Sequence, residues 1–319
     1  MGRTGRLDRI KDGMNLFGRL WSGCSGAKHQ NIIISFCNLP KHSDSGLLLF
    51  DLCCSKGKWL ELGLPTKVTS CTGISQAEGY ILSLAEFGEE VYVVVTNSED
   101  FQPLYYQRLF EIRNAHSICV DGDIVLIVST GTDEVVAYQW GPYGFTFQGI
   151  VWTPSDAKKD THHINSITYV DSQNILVTAF GPKKANLWQS ASDGYVCNIK
   201  SGNLVKTGIN QPHSLCPSGR TLYYCESANQ GLVALDGGSL CDADGYTRGL
   251  CFLNQNRAIF GTSVGRKQSK STGIMRNPAD PGVPFGACGI TEFELHTHGV
   301  VTRDMSKYGT EIYDIHYVR

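Results

Sequence analysis

The sequence predicts an all-β fold: a six-bladed β-propeller closed by pairing of the C-terminal strand with strands near the N-terminus. Three observations carry that prediction. A short motif recurs five times, each copy is followed nine or ten residues later by a hydrophobic β-run, and the chain ends on one more motif-like strand. Repeats of about 35 to 50 residues, each holding several short strands, are the pattern of propeller blades.

The motifs start at Thr72 (Thr72-Gly73-Ile74), His116 (His116-Ser117-Ile118), Asn165 (Asn165-Ser166-Ile167), His213 (His213-Ser214-Leu215) and Arg248 (Arg248-Gly249-Leu250). The β-runs that follow are Ile81–Leu84, Leu126–Ser129, Ile175–Thr178, Leu222–Tyr224 and Ala258–Phe260. Each motif reads as an inner strand, and each run as the strand beside it. Glu311–Val318 alternates in the same way and has no room after it for the rest of a blade. Asn31–Phe36 and Leu47–Leu52 are strands with no inner strand before them. Joining the two incomplete pieces makes the sixth blade and removes the open edges of the ring. The leading residues are then spaced 44, 49, 48, 35 and 65 residues apart, the last interval ending at Tyr313. That interval contains residues 265–284, rich in Gly, Pro, Lys and Ser, which read as an inserted loop. Residues 28–319 form a single propeller domain on this reading, and residues 1–27 form an arm or short helix outside it.

Bulk composition bounds the function. A net charge of −2 gives no broad electrostatic reason to expect nucleic acid or an anionic membrane. No stretch approaches 18 apolar residues, so no membrane span is expected. Residues 1–20 carry Arg3, Arg6, Arg9, Lys11 and Arg19 without a continuous apolar core, unlike a secretory signal. The twelve cysteines include no C-x-x-C, and Cys119, Cys225 and Cys251 sit inside hydrophobic strands. They read as reduced, buried thiols. The expected protein is soluble and cytoplasmic, with a small-molecule substrate; its oligomeric state is left open.

If the motifs occupy equivalent places, their leading residues converge on one axis. On a strand, residues two apart share a face. That parity adds His163 beside Asn165, Gln211 beside His213, Tyr246 beside Arg248 and Glu311 beside Tyr313. The expected site therefore holds His213, His163 and His116 as catalytic groups. Asn165, Arg248, Gln211, Tyr246, Tyr313 and Glu311 would bind substrate. Three imidazoles and a guanidinium with little negative charge favour an anion or an electron-rich carbonyl oxygen. His213 would react as nucleophile or general base, since imidazole changes charge near neutral pH. An alternative has His116, His163 and His213 bind a transition metal, iron, copper or zinc. A third has the propeller bind without catalysis, its channel packed shut by Tyr246 and Tyr313. Trp140, Trp152 and Trp188 are assigned to blade cores, and His162, His296 and His298 to the surface. Asp314 and His316, on the opposite parity from Tyr313, are assigned packing or sheet-surface roles. Phosphate-loop, dinucleotide and H-E-x-x-H signatures are absent.

The C-terminal half resembles a bacterial family of hypothetical proteins whose members look like β-propellers of unknown function. The residues that carry the resemblance are His163-Ile164-Asn165, Val177-Thr178-Ala179-Phe180-Gly181, Pro212-His213-Ser214, Thr247-Arg248-Gly249-Leu250, Cys288-Gly289-Ile290 and Glu311-Ile312-Tyr313-Asp314. It implies the propeller fold and no established reaction. The site is also similar to that of the arylsulfate sulfotransferases, six-bladed propellers with an H-x-N pair, further channel histidines and an arginine. That likeness implies that His163, Asn165, His116, His213 and Arg248 fill the corresponding roles, one histidine accepting a sulfuryl group.

Overall fold

A computed structural model describes residues 4–6, 30–39, 45–265 and 286–318. The arm of residues 1–27 and the insert loop of residues 265–284 lie outside these apart from residues 4–6 and 265. The architecture is the one expected: six antiparallel sheets in a ring, with almost no helix. Blade 1 is built from Ser70–Ala77, Tyr80–Phe87, Glu90–Asn97 and Pro103–Leu109. Blade 2 holds Ala115–Asp121, Ile124–Ser129, Glu134–Gly141 and Gly144–Trp152. Blade 3 holds Ile164–Asp171, Asn174–Ala179, Gly194–Asn198 and Asn203–Ile209. Blade 4 holds Pro212–Ser218, Thr221–Glu226, Gly231–Ala234 and Ser239–Asp242, and blade 5 holds Tyr246–Asn254, Arg257–Ser263, Gly289–Glu294 and Val300–Asp304. In the closing blade the C-terminal Ile312–Tyr317 is the inner strand, paired with Asn31–Phe36, then Leu47–Asp51 and Lys56–Trp59. A short strand, Thr4–Arg6, adds to the outer edge of blade 1.

Each blade is buried on both faces by its neighbours, which explains apolar runs that do not alternate. Ile32 and Ile34 pack towards blade 5, while Ile33 between them packs towards blade 1. Leu48 and Phe50 follow the first pair, and Leu47 and Leu49 follow the second. The same division between the two sides of a sheet gives an apolar cluster at every interface round the ring. Burial at about 25 cal/mol per Å² makes these wedges the main source of stability. The cysteines of the described residues are free thiols, most of them buried. No helix among the described residues is long and apolar enough to cross a membrane.

The motif has a structural reason that spacing alone does not reveal. Every inner strand breaks register there: a β-bulge falls between Cys71 and Ile74, at His116, at Asn165, between His213 and Cys216, between Arg248 and Leu250, and at Tyr313. A bulge re-aims side chains and bends the strand. The residue after each leading one then meets the next blade. Ser117 Oγ accepts from the backbone N–H of Ile167 at 3.2 Å, Ser166 Oγ from Leu215 at 3.5 Å, and Ser214 Oγ from Gly249 at 2.8 Å. Asp314 Oδ2 closes the ring by accepting from Ile74 N–H at 2.9 Å. Asp314 therefore joins two blades rather than decorating a sheet surface, and His316 likewise reaches blade 1 through Gln76, 3.1 Å from its Nε2. The two glycines of the series fill the same place by absence. A Cβ on Gly73 would lie 2.7 Å from both Ile118 N and Ser117 Cα, and one on Gly249 2.9 Å from the backbone of Asp314 and Ile315.

Gly73→Ala is therefore expected to destabilise the ring by about 1–3 kcal/mol, the cost of overpacking against backbone that cannot retreat. Gly238→Ala, where an added Cβ meets nothing within 4 Å, is expected to stay within about 0.5 kcal/mol of the parent. Denaturant midpoints of the two variants measure the difference.

Candidate functional site

The bulges organise the channel into layers. Two residues before each leading position stand Ser70, Asn114, His163, Gln211, Tyr246 and Glu311, and all six line one mouth, a cavity of about 460 Å³. The leading residues Thr72, His116, Asn165, His213, Arg248 and Tyr313 form the waist below, shared between this mouth and a second funnel of about 580 Å³. Under the waist the third motif residues, Ile74, Ile118, Ile167, Leu215, Leu250 and Ile315, make an aliphatic collar in the second funnel. Seven of the nine residues expected at the site line this mouth, and the other two, Asn165 and His213, line the second funnel.

Parity alone misses how the mouth ring is held. Asn114, His163 and Gln211 have left-handed backbones, with φ of 51°, 53° and 53°. The waist supports the turn at His163: Asn165 Nδ2 donates to the His163 carbonyl at 3.2 Å, and Asn165 Oδ1 accepts from Thr178 Oγ1 at 2.7 Å. Asn165 is thereby a brace for His163. Gln211 is a second brace, accepting from Tyr246 OH at 2.8 Å and donating to the Trp188 carbonyl at 3.0 Å.

All three channel histidines carry their proton on Nδ1. His116 Nδ1 lies 3.1 Å from the Asn114 carbonyl, which only accepts. His163 Nδ1 lies 3.1 Å from each oxygen of the Asp160 carboxylate. Ser227 Oγ gives its hydrogen to the Thr247 carbonyl, so His213 Nδ1, 2.7 Å away, must donate to it. The lone pair of each neutral ring is therefore on Nε2. Burial, and next the Arg248 charge, hold His213 well below the ordinary imidazole range, so this ring is neutral.

Exposure separates the three. His213 is 2% exposed, its ring centroid 5.0 Å from that of Phe180 and 5.5 Å from that of Tyr246. His163 instead faces the mouth, its centroid 4.5 Å from Phe180 and 4.6 Å from Trp188. His116 meets the ring edges of His163 and Tyr313, 5.2 Å from each. Trp188, expected in a blade core, stands on a 3₁₀ turn at the mouth. No spacing rule assigns that turn; only its place between strands of blade 3 brings it to His163. Trp140 and Trp152 do pack on blade cores. His296 and His298 are exposed as expected, but His162 is half-buried, 3.1 Å from Tyr195 OH.

Electrostatics correct a second expectation. Arg248 lies 3.8 Å from Glu311, with its guanidinium over the rings of Tyr246 and Tyr313 at 4.8 and 5.3 Å. Cys37 joins this group, its Sγ 3.4 Å from Glu311 Oε2 and 3.8 Å from Arg248 Nη1. The mouth also collects Glu86, Glu89 and Asp160, so its carboxylates outnumber Arg113 and Arg248. It is not the carboxylate-poor pocket that the leading residues suggested. The acids come from second strands and loops, where no motif marked them. Nor do the three histidines make a metal centre. Phe180 packs against both His163 and His213, and among the described residues no three His, Cys, Asp or Glu side chains gather closely enough to hold a metal ion.

Residues 69–319 match the family described as "Domain of unknown function (DUF4915)". No curated protein matches the chain. Solved structures similar to it include a putative 6-phosphogluconolactonase from Bacteroides fragilis, at 10% identity and a TM-score of 0.56 over 91% of this chain and 98% of that one. The periplasmic gluconolactonase of Pseudomonas aeruginosa aligns at 11% identity and a TM-score of 0.52, over 92% and 99%. A nidogen/laminin complex aligns at 9% identity and 0.60, over 91% and 98%. Gluconolactonases and a nidogen/laminin complex share the architecture, so these likenesses establish the fold alone.

Asp314 gives the channel a measurable pH signature. Desolvation deep in the channel pushes its carboxyl up to about 7, outweighing the N–H bonds from Ile74 and Ile315 that favour the charged form. A carboxyl raised on folding contributes stability that is complete below its ordinary value of 3.8 and is lost as pH rises through about 7. Between pH 4 and 8, wild type is therefore expected to lose stability relative to Asp314→Asn. Parallel unfolding midpoints for the two proteins across that range would contradict this assignment.

Proposed function

The chain belongs to the DUF4915 family, and for it we propose a hydrolytic or group-transfer enzyme that acts on a small carbonyl compound, an ester or lactone, in the mouth of the channel. One observation carries the reading. His163 is held at both ends: Asp160 fixes Nδ1, Phe180 and Trp188 hold the ring, and Nε2 bears the lone pair on the side of the open cavity. A carboxylate that orients an imidazole and stabilises its protonated form is the working part of a general base. His163, rather than the more deeply buried His213, takes the reacting role.

In this mechanism His163 Nε2 removes a proton from water, or from an acceptor hydroxyl, as its oxygen attacks the carbonyl carbon. The electron pair of the C=O bond moves to oxygen, where Arg248 opposes the developing charge. Collapse expels the alkoxide, which takes the proton back from the His163 imidazolium. Asp160 carries no proton in any step. The surplus of carboxylates weighs against a sulfate donor and selects the carbonyl over the anionic alternative. The cavity size suits a small ligand. The lactonase neighbours agree with hydrolysis, but at 10–11% identity they add only that the scaffold tolerates it.

A second reading, binding without turnover, is favoured by the narrow waist. Tyr246 and Tyr313 are 7% and 6% exposed, and His116 packs edge-to-face on Tyr313, so large rings crowd the passage between the mouth and the second funnel.

A panel of esters and lactones separates the two. His163→Gln is expected to lower kcat/KM by about 10²–10⁴-fold, the usual contribution of a general base. Asp160→Asn should lower kcat while leaving KM within about threefold. Undiminished turnover by His163→Gln would remove the assignment, and saturable binding with no turnover of any panel member would favour the binding reading.

A further inference from the structure

Three waist residues each keep one buried polar atom without a hydrogen-bond partner among the described residues: Thr72 Oγ1, His213 Nε2 and Tyr313 OH. Their side chains belong to residues only 3%, 2% and 6% exposed. An orphaned buried polar group is costly, and three in one layer of one channel point to a missing partner. Two of them, Thr72 and Tyr313, line the floor of the mouth beside the carboxylates of Glu86 and Glu311.

The surroundings choose the class of ligand. Two carboxylates at the floor oppose an anion, while the guanidinium of Arg248 opposes a bare cation. A neutral hydroxyl suits both, because it donates to a carboxylate and accepts from a Thr or Tyr hydroxyl in the same place. A compound with adjacent hydroxyls fills several such positions at once. We infer that the mouth binds a polyhydroxylated, sugar-derived molecule, its hydroxyls engaging Thr72, Tyr313, Glu86 and Glu311. This deepens the catalytic reading by naming the substrate class, and rests on that reading for the chemistry but not for the binding.

The test is calorimetric titration and thermal melting with D-glucose, D-galactose, D-mannose, D-ribose and myo-inositol. At least one is expected to bind wild type saturably and raise its Tm. Thr72→Val and Tyr313→Phe, singly and together, keep shape while deleting the orphaned hydroxyls. Each should weaken that binding about tenfold, yet leave the Tm of the unliganded protein unchanged or higher, since no internal bond is lost. The inference is overturned if no panel member binds, if the variants bind like wild type, or if their unliganded Tm falls, which would show the hydroxyls bonded within the protein. Binding that persists in His163→Gln, while no ester is turned over by wild type, would remove the catalytic reading and leave this one standing.

Discussion

The fold and its site both depend on one repeated contact, in which the residue after each bulge reaches the inner strand of the next blade. Ser117, Ser166, Ser214 and Asp314 make it with a side-chain oxygen on a backbone N–H, and Gly73 and Gly249 by letting the backbone itself approach. Apolar wedges hold the blades together, but they are tolerant of small slips. A hydrogen bond from a bulged position is not, because it fixes rotation and height together. The leading residue is consequently set to the same level in all six blades.

That levelling creates the channel's chemistry. Polar groups stand above, large rings and Arg248 occupy the waist, and aliphatic side chains seal it below. His163 gains its position from three separate elements. A left-handed backbone turns it towards the mouth, Asn165 braces that turn, and Asp160 fixes the tautomer. The H-x-N pair is thus a unit in which the amide braces the turn that presents the imidazole to the mouth. His213, similar in sequence setting, lacks a carboxylate partner and lies beneath Phe180 and Tyr246, which makes it part of the waist.

The site's electrostatic character is an example of what a repeat does not report. Reading the leading positions alone predicts cationic and amide groups. The acids that reverse the balance lie elsewhere, Glu86 on a second strand, Glu89 in the turn after it, Asp160 in a loop three residues before His163. A carboxylate at i−3 of a histidine was visible in the sequence, but only the turn between them shows that the two side chains meet. Trp188 and Cys37 reach the mouth in the same way, through loops and ring closure.

Six blades, the closure between the chain ends and the ring of leading residues around the channel were legible before any coordinates. Those follow from repeat period and strand parity, which are local and survive without coordinates. Which histidine is accessible, which nitrogen carries its proton and how many carboxylates reach the mouth emerge from long-range packing. Such properties depend on partners tens to hundreds of residues away, as when Asp314 bonds Ile74 across 240 positions of chain. Burial and tautomer are set by those partners, and no periodicity encodes them.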